Sequence, residues 1–536
     1  MKKLDSQSEY GFENPSSPLM NLPPRKTRPF EILRSGNTPA PENVWGGSHK
    51  EANSSVQSNG AGEPGSVAIA GQDSKAIAQQ TMAEALIQVL GEGKVSIEES
   101  VITEHSGDKW FANHPPDVVV FAESTEDVSK TLSYAHKNHI PVTTRGAGIG
   151  YVGGCVPVYG GIVLSTARMN KILDISPDDG VAVVQPGVVT GDLQKAVRAV
   201  GWDYPPDPAS LKECSIGGNV ATNAGGPRCL KYGVTRNYIL GLEVVLADGR
   251  VMRCGGRIHK NKTGFDLIGL FVGSEGMLGI VTEITARIIP KPQCRGMLAA
   301  IFPDFPSAAK AVHAIFQAGH LPSALEITDA FTLEAARQKL GRDVFPPGDG
   351  HLIVEIDGRQ AAVDSEIEEL YELLLKCGAN EILIAREEVE CEAIWQMRRE
   401  FSYSLRDTGL IKLNEDIVVP RGKLVQLVNF ARVMEKETGI AVACFGHAGD
   451  GNIHTNLMVD NYDDPKTRAR ADAALDILFH WVLDNGGVIT GEHGVGLAKK
   501  LWIRQALGET SFALHQSLKQ VLDPNGILNP GKFLDD

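Results

Sequence analysis

Residues 145–154 read RGAGIGYVGG, and the fold of this chain turns on how that stretch is understood. Gly148, Gly150 and Gly153 fit the GxGxxG spacing of a dinucleotide-binding turn. That spacing carries its meaning only where a helix follows and an acidic side chain comes about 20 residues later. Here 155–161 is broken by Pro157, and GIVLST (161–166) then reads as a strand. A Rossmann nicotinamide site is therefore not expected. A glycine-packed turn can still wrap a pyrophosphate with backbone N–H groups, without a helix dipole. Taken alone, a tight turn with no ligand accounts for these ten residues.

Upstream, VVVF (118–121) has the look of a short buried strand, and Pro141 to Arg145 of a second. Between them Ser124 and Asp127 form a capping box for a helix with Val128, Leu132 and Ala135 at helical spacing. This βαβ unit feeds the turn. A further helix is expected from an N-cap at Asp73 or Ser74, with Ile77, Met82, Leu86, Val89 and Leu90 on one face and Gly91 as its stop. Residues 1–72 are rich in Ser, Asn, Gly, Pro and Glu and predict a disordered tail, in which Arg25, Lys26 and Arg28 are either solvated or a docking element.

Downstream, VVQPGVVTGDLQ (183–194) leads into a helix with Leu193, Val197 and Val200 on one side. PPDP (205–208) follows, then CSIGGNVATNAGGPRCLKYG (214–233), whose small residues suit a flat ligand lying against backbone better than a core strand. LEVVLADGRVMRC (242–254) predicts a hairpin turning at Asp248-Gly249, and 271–289 places another glycine-rich loop before a β-rich run.

A chain of 536 residues exceeds one core and implies about three domains. The formal charge of -14, from 52 basic and 66 acidic side chains, argues against nucleic acid or an anionic membrane as partner. The eight cysteines show no CxxC pair, so no zinc ribbon or iron-sulfur cluster is written here, and reduced thiols in a cytoplasmic protein are expected. No stretch approaches the ~18 apolar residues of a transmembrane segment.

Chemistry concentrates in CFGHAGDGNIHTN (444–456) and TGEHG (490–494). Glycines between His447 and His454 let the chain turn, so that two imidazoles and the carboxylate of Glu492 converge on one divalent cation of the zinc, manganese or iron type. His493 is then left as a base. Two histidines at this spacing are, in isolation, more often two unrelated polar residues than a metal site. From 293 to about 500, strands near 298–303, 324–328, 352–357 and 381–385 alternate with helices over 307–318 and 364–376, a ferredoxin-like α+β layer. A helix bearing Trp395, Arg398 and Ser402 follows, then a strand over 411–420, a helix over 423–437 and the strands with the two histidines.

In family order, RGAGxGxxGG (145–154), RMNKI (168–172), VQPGV (184–188), IGGNVATNAGG (216–226), KYG (231–233), TGFDLxxLFVGSEGMLGIVTE (263–283), HAGDGNIH (447–454), GEHGVG (491–496) and LDPNGILNPGK (522–532) span about 390 residues. The chain thereby resembles the FAD-linked oxidases of the vanillyl-alcohol oxidase and p-cresol methylhydroxylase superfamily. The branch is that of glycolate oxidase flavin subunits, D-lactate dehydrogenases and D-2-hydroxyglutarate dehydrogenases. The resemblance implies an α+β fold: a two-subdomain FAD-binding domain of the p-cresol methylhydroxylase type (73–292), a substrate- and metal-binding cap (293–500) and a segment, 501–536, packing back on the FAD domain.

It also implies site residues. Arg145, Gly146, Gly148, Ile149, Gly150, Gly153 and Gly154 would hold the FAD pyrophosphate. Gly217, Gly218, Asn219, Thr222, Asn223 and Gly225 would lie along the isoalloxazine and ribityl region, and Glu275 and Gly276 near the adenine half or phosphates. Pro208, Gly279 and Ile280 complete the cofactor set. Many relatives have Thr at 149 and Ser at 152. Ile149 and Val152 remove those hydroxyls here, and since covalent members carry histidine at the place of Ile149, FAD should be bound non-covalently.

Oxidation of a small D-2-hydroxy acid (glycolate or D-lactate, with D-2-hydroxyglutarate as alternative) is implied. Arg398 would anchor the carboxylate, although a helix-surface charge beside Arg399 reads the same in sequence. Lys412 would be a second anchor, and Asn456 a hydrogen-bonding partner. His493 would take the hydroxyl proton, flavin N5 the hydride. A neutral His493 implies activity falling below pH ~6. No nicotinamide site is visible. The acceptor is left open among quinone, cytochrome, electron-transfer flavoprotein and oxygen, with an iron-sulfur subunit as a partner the family uses. Two other classes compete: a metal hydrolase on the same His/His/Glu set, and a non-catalytic flavoprotein subunit.

Overall fold

The computed structural model describes residues 67–342 and 345–534. The expected tail, with Arg25, Lys26 and Arg28, lies outside them except for 67–72. Those six residues belong to a helix, Val67–Leu90, that begins ahead of the expected caps at Asp73 and Ser74. Nothing between 67 and 75 breaks it, since a single Gly71 costs only about 1 kcal/mol against Ala. Its buried face is Ala83, Leu86 and Leu90, whereas Ile77 and Val89 look outward.

Val118–Phe121 and Val142–Arg145 both pair in parallel with Ile162–Ser165, and Val95–Ser96 closes the sheet antiparallel to the first. The intervening helix, Thr125–Asn138, starts where Ser124 accepts the Asp127 N–H. The expected box is not reciprocal. The Asp127 carboxylate takes the Glu123 N–H and the Lys94 ammonium, reaching one residue further back than a box would. A second sheet is wholly antiparallel, in the order Ile172–Ser176, Val181–Val184, Ile280–Arg287, Ile239–Val245, Val251–Gly255. Its last two strands are the expected hairpin, with Gly249 at φ +89 in the turn. The helix Thr190–Ala199 buries Leu193 and Val197, but Val200 is its exposed C-cap. The C-terminal segment returns to the first sheet: Leu528 bridges Val142, and Ile527 and Leu528 join its apolar core.

The third sheet has seven strands, every pair antiparallel, in the order Glu381–Ala385, Cys294–Phe302, Gly350–Gly358, Ala324–Asp329, Ala441–His447, Asn452–Val459, Ile411–Val418. Numbered along the chain, the first four neighbours stand 4-1-3-2, a ferredoxin-like layer. The other three extend it and bring the histidines. Between 293 and 499 two α-helices escape the sequence reading, Ala330–Leu340 and Pro465–Asp484. Direct pairing of Glu326 with His447, Phe445 with His454, and Asp416 with His454 puts these side chains on one face of the sheet. All eight cysteines are free thiols, and among the described residues no helix is long and apolar enough to cross a membrane.

The small-residue stretch 214–233 is fastened to this sheet by charge. Arg228 Nε and Nη2 donate to both oxygens of Glu355 (2.7 and 2.8 Å), and its Nη1 donates to Asp207 Oδ2 at 2.6 Å. Trp395 and Arg295 complete the shell around Glu355. Burial works against the Glu355 carboxylate, but the Arg228 guanidinium holds its pKa down to about 2. Removing one partner strands a buried charge, so Arg228→Met should lower unfolding stability by about 3–5 kcal/mol. In the double variant with Glu355→Gln, part of the loss should return; equal urea-melt losses in single and double variants would contradict the clamp.

Candidate active site

His447 closes one strand and His454 lies two residues into the next. Gly451, at φ +79, makes the turn between them, where a methyl group would stand 2.0 Å from the Val419 carbonyl oxygen. The two rings are 5.5 Å apart at 81°, and one donor atom each from His447, His454 and Glu492 all lie within 4.8 Å of one another. His447 Nδ1 bonds Glu326, which fixes the ring and leaves Nε2 facing Glu492 Oε1 at 2.7 Å. His454 Nδ1 is buried without a hydrogen-bond partner. Burial opposes a charge on His447, yet the Glu326 and Glu492 carboxylates hold its pKa well above the ordinary value. Burial pushes His454 down to about 3, so it stays neutral. A neutral imidazole with an unpartnered nitrogen, a second imidazole and the Glu492 carboxylate, all within 4.8 Å, suit a divalent cation, with Glu326 orienting the His447 ring from behind.

Glu492 and His493 sit in an irregular loop whose shape comes from Asp416. Its Oδ2 accepts from Thr490 Oγ1 (3.0 Å) and from the N–H groups of Gly491 (2.8 Å), Glu492 (2.7 Å) and His493 (3.0 Å). Asn452 donates to Oδ1 at 2.6 Å. Although burial opposes it, the neighbouring His493 and Lys499 keep this carboxyl far below the usual range. The His493 ring stacks on His454 at 5.8 Å and meets Tyr151 at 5.5 Å. Tyr151 belongs to the 145–154 turn, so the proposed base touches the first region directly. The sequence reading overlooked Glu326 and Asp416. The signal was weak: each is an acid next to apolar strand residues, in ALEITD and EDIVV, but each segment carries a second acid, Asp329 or Glu415.

Arg398 points inward and is not a helix-surface charge; its side chain is 11% exposed and its Nε holds Glu326 Oε2 at 2.5 Å. Lys412 Nζ donates to Ser402 Oγ at 2.8 Å. Burial first, then Arg406 and Arg398, push its pKa down to about 7. Asn456 is fully buried; its Nδ2 donates to the Ala443 and His454 carbonyls, leaving only Oδ1 without a partner.

The glycine-rich stretches meet as a slot. A methyl on Gly146 would stand 2.6 Å from Ser215 Oγ and 3.7 Å from the Gly218 backbone, at the start of the short helix Ile216–Thr222. A cavity of about 330 Å³ lies here, lined by Gly146, Ala147, Gly187, Val188 and Ser215. The N–H groups of Gly273 and Glu275 dock the third loop on Val220 and Ala221 of the same helix. Gly225 is the closest approach to the cluster, its added methyl 3.2 Å from Glu492 Cγ.

Gly148, Ile149, Gly150, Gly154, Gly217, Gly218, Thr222, Asn223 and Gly276 keep partial or full exposure, as the walls of a groove do. Others are enclosed. Arg145 donates to the Gly107 carbonyl, Asn219 to Thr190, and Gly153 is pressed between Trp110 and Leu497. Pro208, Gly279 and Ile280 are buried. Glu275, expected near the adenine half or phosphates, instead turns its carboxylate to the N–H groups of Val495 and Gly496. Cradles that any side chain would fill, in three converging loops, fit a flat dinucleotide cofactor.

A glycine-lined slot on two small sheets, covered by a polar face of a cap sheet, defines an FAD-dependent oxidoreductase of two parts. Residues 116–255 match the FAD binding domain, and 291–533 the C-terminal domain of FAD linked oxidases. The glycolate oxidase subunit GlcD of Bacillus subtilis (strain 168) is 38% identical over 78% of this chain and 89% of its own length. The D-lactate dehydrogenase of Anaerostipes hadrus is 34% identical, with the same two coverages, 78% and 89%. A solved structure of p-cresol methylhydroxylase with substrate bound superposes with TM-score 0.71 at 21% identity, covering 87% of this chain and 97% of the other, a likeness of fold. The chain belongs to the FAD-linked oxidases of the vanillyl-alcohol oxidase and p-cresol methylhydroxylase superfamily, in the glycolate oxidase and D-lactate dehydrogenase branch.

Replacing a carboxylate behind a ligating histidine typically costs 10- to 100-fold in metal affinity. Glu326→Gln should therefore weaken divalent-ion binding by about that factor in a chelator competition, with FAD content unchanged; affinity within about twofold of the parent would count against a metal at His447.

Proposed function

We propose that this protein oxidises a small D-2-hydroxy acid, glycolate or D-lactate, to the 2-keto acid and passes the electrons to an acceptor other than a nicotinamide. The observation that carries this reading is the contact between the two halves. Glu492 abuts Gly225 of the slot, and the His493 ring contacts both His454 and Tyr151. The names of the relatives, a glycolate oxidase subunit and a D-lactate dehydrogenase, support the substrate class. FAD bound in the slot supplies a hydride acceptor, and a zinc, manganese or iron ion on His447, His454 and Glu492 supplies a Lewis acid.

The chain's own groups do the rest. Arg398 keeps two Nη groups without a hydrogen bond among the described residues and, with Lys412, offers the substrate carboxylate a cationic wall. His493 accepts the hydroxyl proton, its backbone fixed by Asp416. Asn456 Oδ1, the one unpartnered atom of that amide, is an acceptor for a substrate hydroxyl. A metal hydrolase on the same ligands would have no use for the glycine slot. A second reading, D-2-hydroxyglutarate, draws support from Lys412, since a second buried cation beside Arg398 suits a second carboxylate. A quinone, cytochrome or electron-transfer flavoprotein, reached directly or through an iron-sulfur subunit, would serve as acceptor.

A dye-coupled panel of D- and L-2-hydroxy acids, with and without chelator, tests this. Turnover of the D acids that chelator abolishes and metal restores is expected; a flavoprotein inert to every acid in the panel would overturn the reading. His493→Ala should lower kcat by about 10²–10⁴-fold, the usual worth of a positioned base. Lys412 loses its charge as pH rises through about 7, and anion binding weakens with it. KM should therefore climb above pH ~7 and flatten in Lys412→Met; a KM independent of pH from 6 to 9 in the parent would remove Lys412 from the binding wall.

A further inference from the structure

We infer that Glu275 is a positioning residue for the reaction, holding the Glu492–His493 loop against the flavin slot and making the order of that loop depend on whether the slot is filled. This rests on the flavin site proposed above. Glu275 is buried and has φ +48, a left-handed conformation rarely adopted by a residue with a side chain and kept only where the surroundings over-determine it.

Four ties do so. Its N–H donates to the Ala221 carbonyl in the slot helix at 2.8 Å. Its carbonyl accepts from Asn529 Nδ2 at 2.7 Å, and the same amide reaches the Gly154 carbonyl at 3.0 Å, at the end of the first glycine turn. Its Oε1 and Oε2 accept the N–H groups of Val495 and Gly496 at 2.8 and 2.9 Å. One residue thus joins both walls of the slot to the loop that carries a metal ligand and the proton acceptor. The fit is close, for a methyl on Gly494 would stand 2.8 Å from Glu275 Oε1. A ligand that stiffens 145–154 and 216–226 stiffens 273–276 with them. The carboxylate passes that order to Val495 and Gly496, which begin three residues after Glu492.

The test is amide hydrogen exchange over 490–496, with and without FAD, in the full chain and in Glu275→Gln. The variant keeps one acceptor oxygen and turns an NH2 against a backbone N–H. FAD should slow exchange in this segment by at least about fivefold in the parent and less than about twofold in the variant, while FAD binds both with similar affinity. By linkage, a divalent ion should bind the FAD-loaded parent more tightly, FAD should bind the metal-loaded parent more tightly by the same factor, and both gains should vanish in the variant. Equal slowing in the two proteins, or none in the parent, would overturn the inference. Should Glu275→Gln not fold, Gly494→Ala displaces the same carboxylate without removing it and is expected to show the same loss. A parent that shows the flavin-dependent slowing yet turns over no hydroxy acid would refute the proposed substrate and leave this role of Glu275 standing.

Discussion

Thr490 to Gly496 have no regular structure, so their backbone N–H groups must find acceptors outside any ladder, and this segment holds both Glu492 and His493. Two buried carboxylates supply those acceptors from opposite sides. Asp416, on the edge strand of the cap sheet, takes the Thr490 hydroxyl and the N–H groups of 491 to 493, and Glu275, in the third glycine loop, takes the N–H groups of 495 and 496. Burial opposes both charges; at Asp416 the nearby His493 and Lys499 outweigh it, whereas at Glu275 burial prevails and raises the pKa. The loop is thus fixed by groups belonging to two different parts of the molecule. It stands where they meet because neither alone could hold it.

The same electrostatic logic runs through the cluster. Glu326 sits between the Arg398 guanidinium and the His447 ring, and burial is outweighed by these two, so that its pKa falls to about 2. His447 is thereby oriented from behind, and its outer nitrogen is presented toward Glu492. On the neighbouring strand Glu355 repeats the arrangement with Arg228, across the boundary with the slot. Glu326 finds its partners within the cap, whereas the desolvation of Arg228 and Glu355 is offset only where the two parts meet.

What the sequence showed was whatever is encoded locally. The glycine turns, the Asp248-Gly249 hairpin, the strand-helix-strand unit ahead of residue 145, and the ligand types at 447, 454 and 492 follow from turn chemistry, periodicity and donor identity. What it hid is set by partners far along the chain. Glu275 could be placed only near a cofactor, because its acceptors' donors lie 220 and 221 residues away. Asp416 and Glu326 read as ordinary strand acids, since antiparallel register, which sets them beside His454 and His447, is not written in either strand alone. Arg398 was ambiguous for a related reason: inward and outward positions on a helix are told apart by what covers them. Ile77 and Val200 fit a helical period yet face outward, because a period marks a possible face and packing chooses the real one.

The proposed reaction depends on one spatial relation, the His447, His454 and Glu492 cluster set against the glycine-lined slot. Anomalous X-ray diffraction from crystals of the FAD-loaded protein soaked in manganese or zinc measures it most directly. The account predicts a single strong anomalous peak bonded by His447, His454 and Glu492, facing the flavin ring across a gap that fits a small hydroxy acid. A peak elsewhere, no peak at those three side chains, or a flavin ring turned away from them would contradict it.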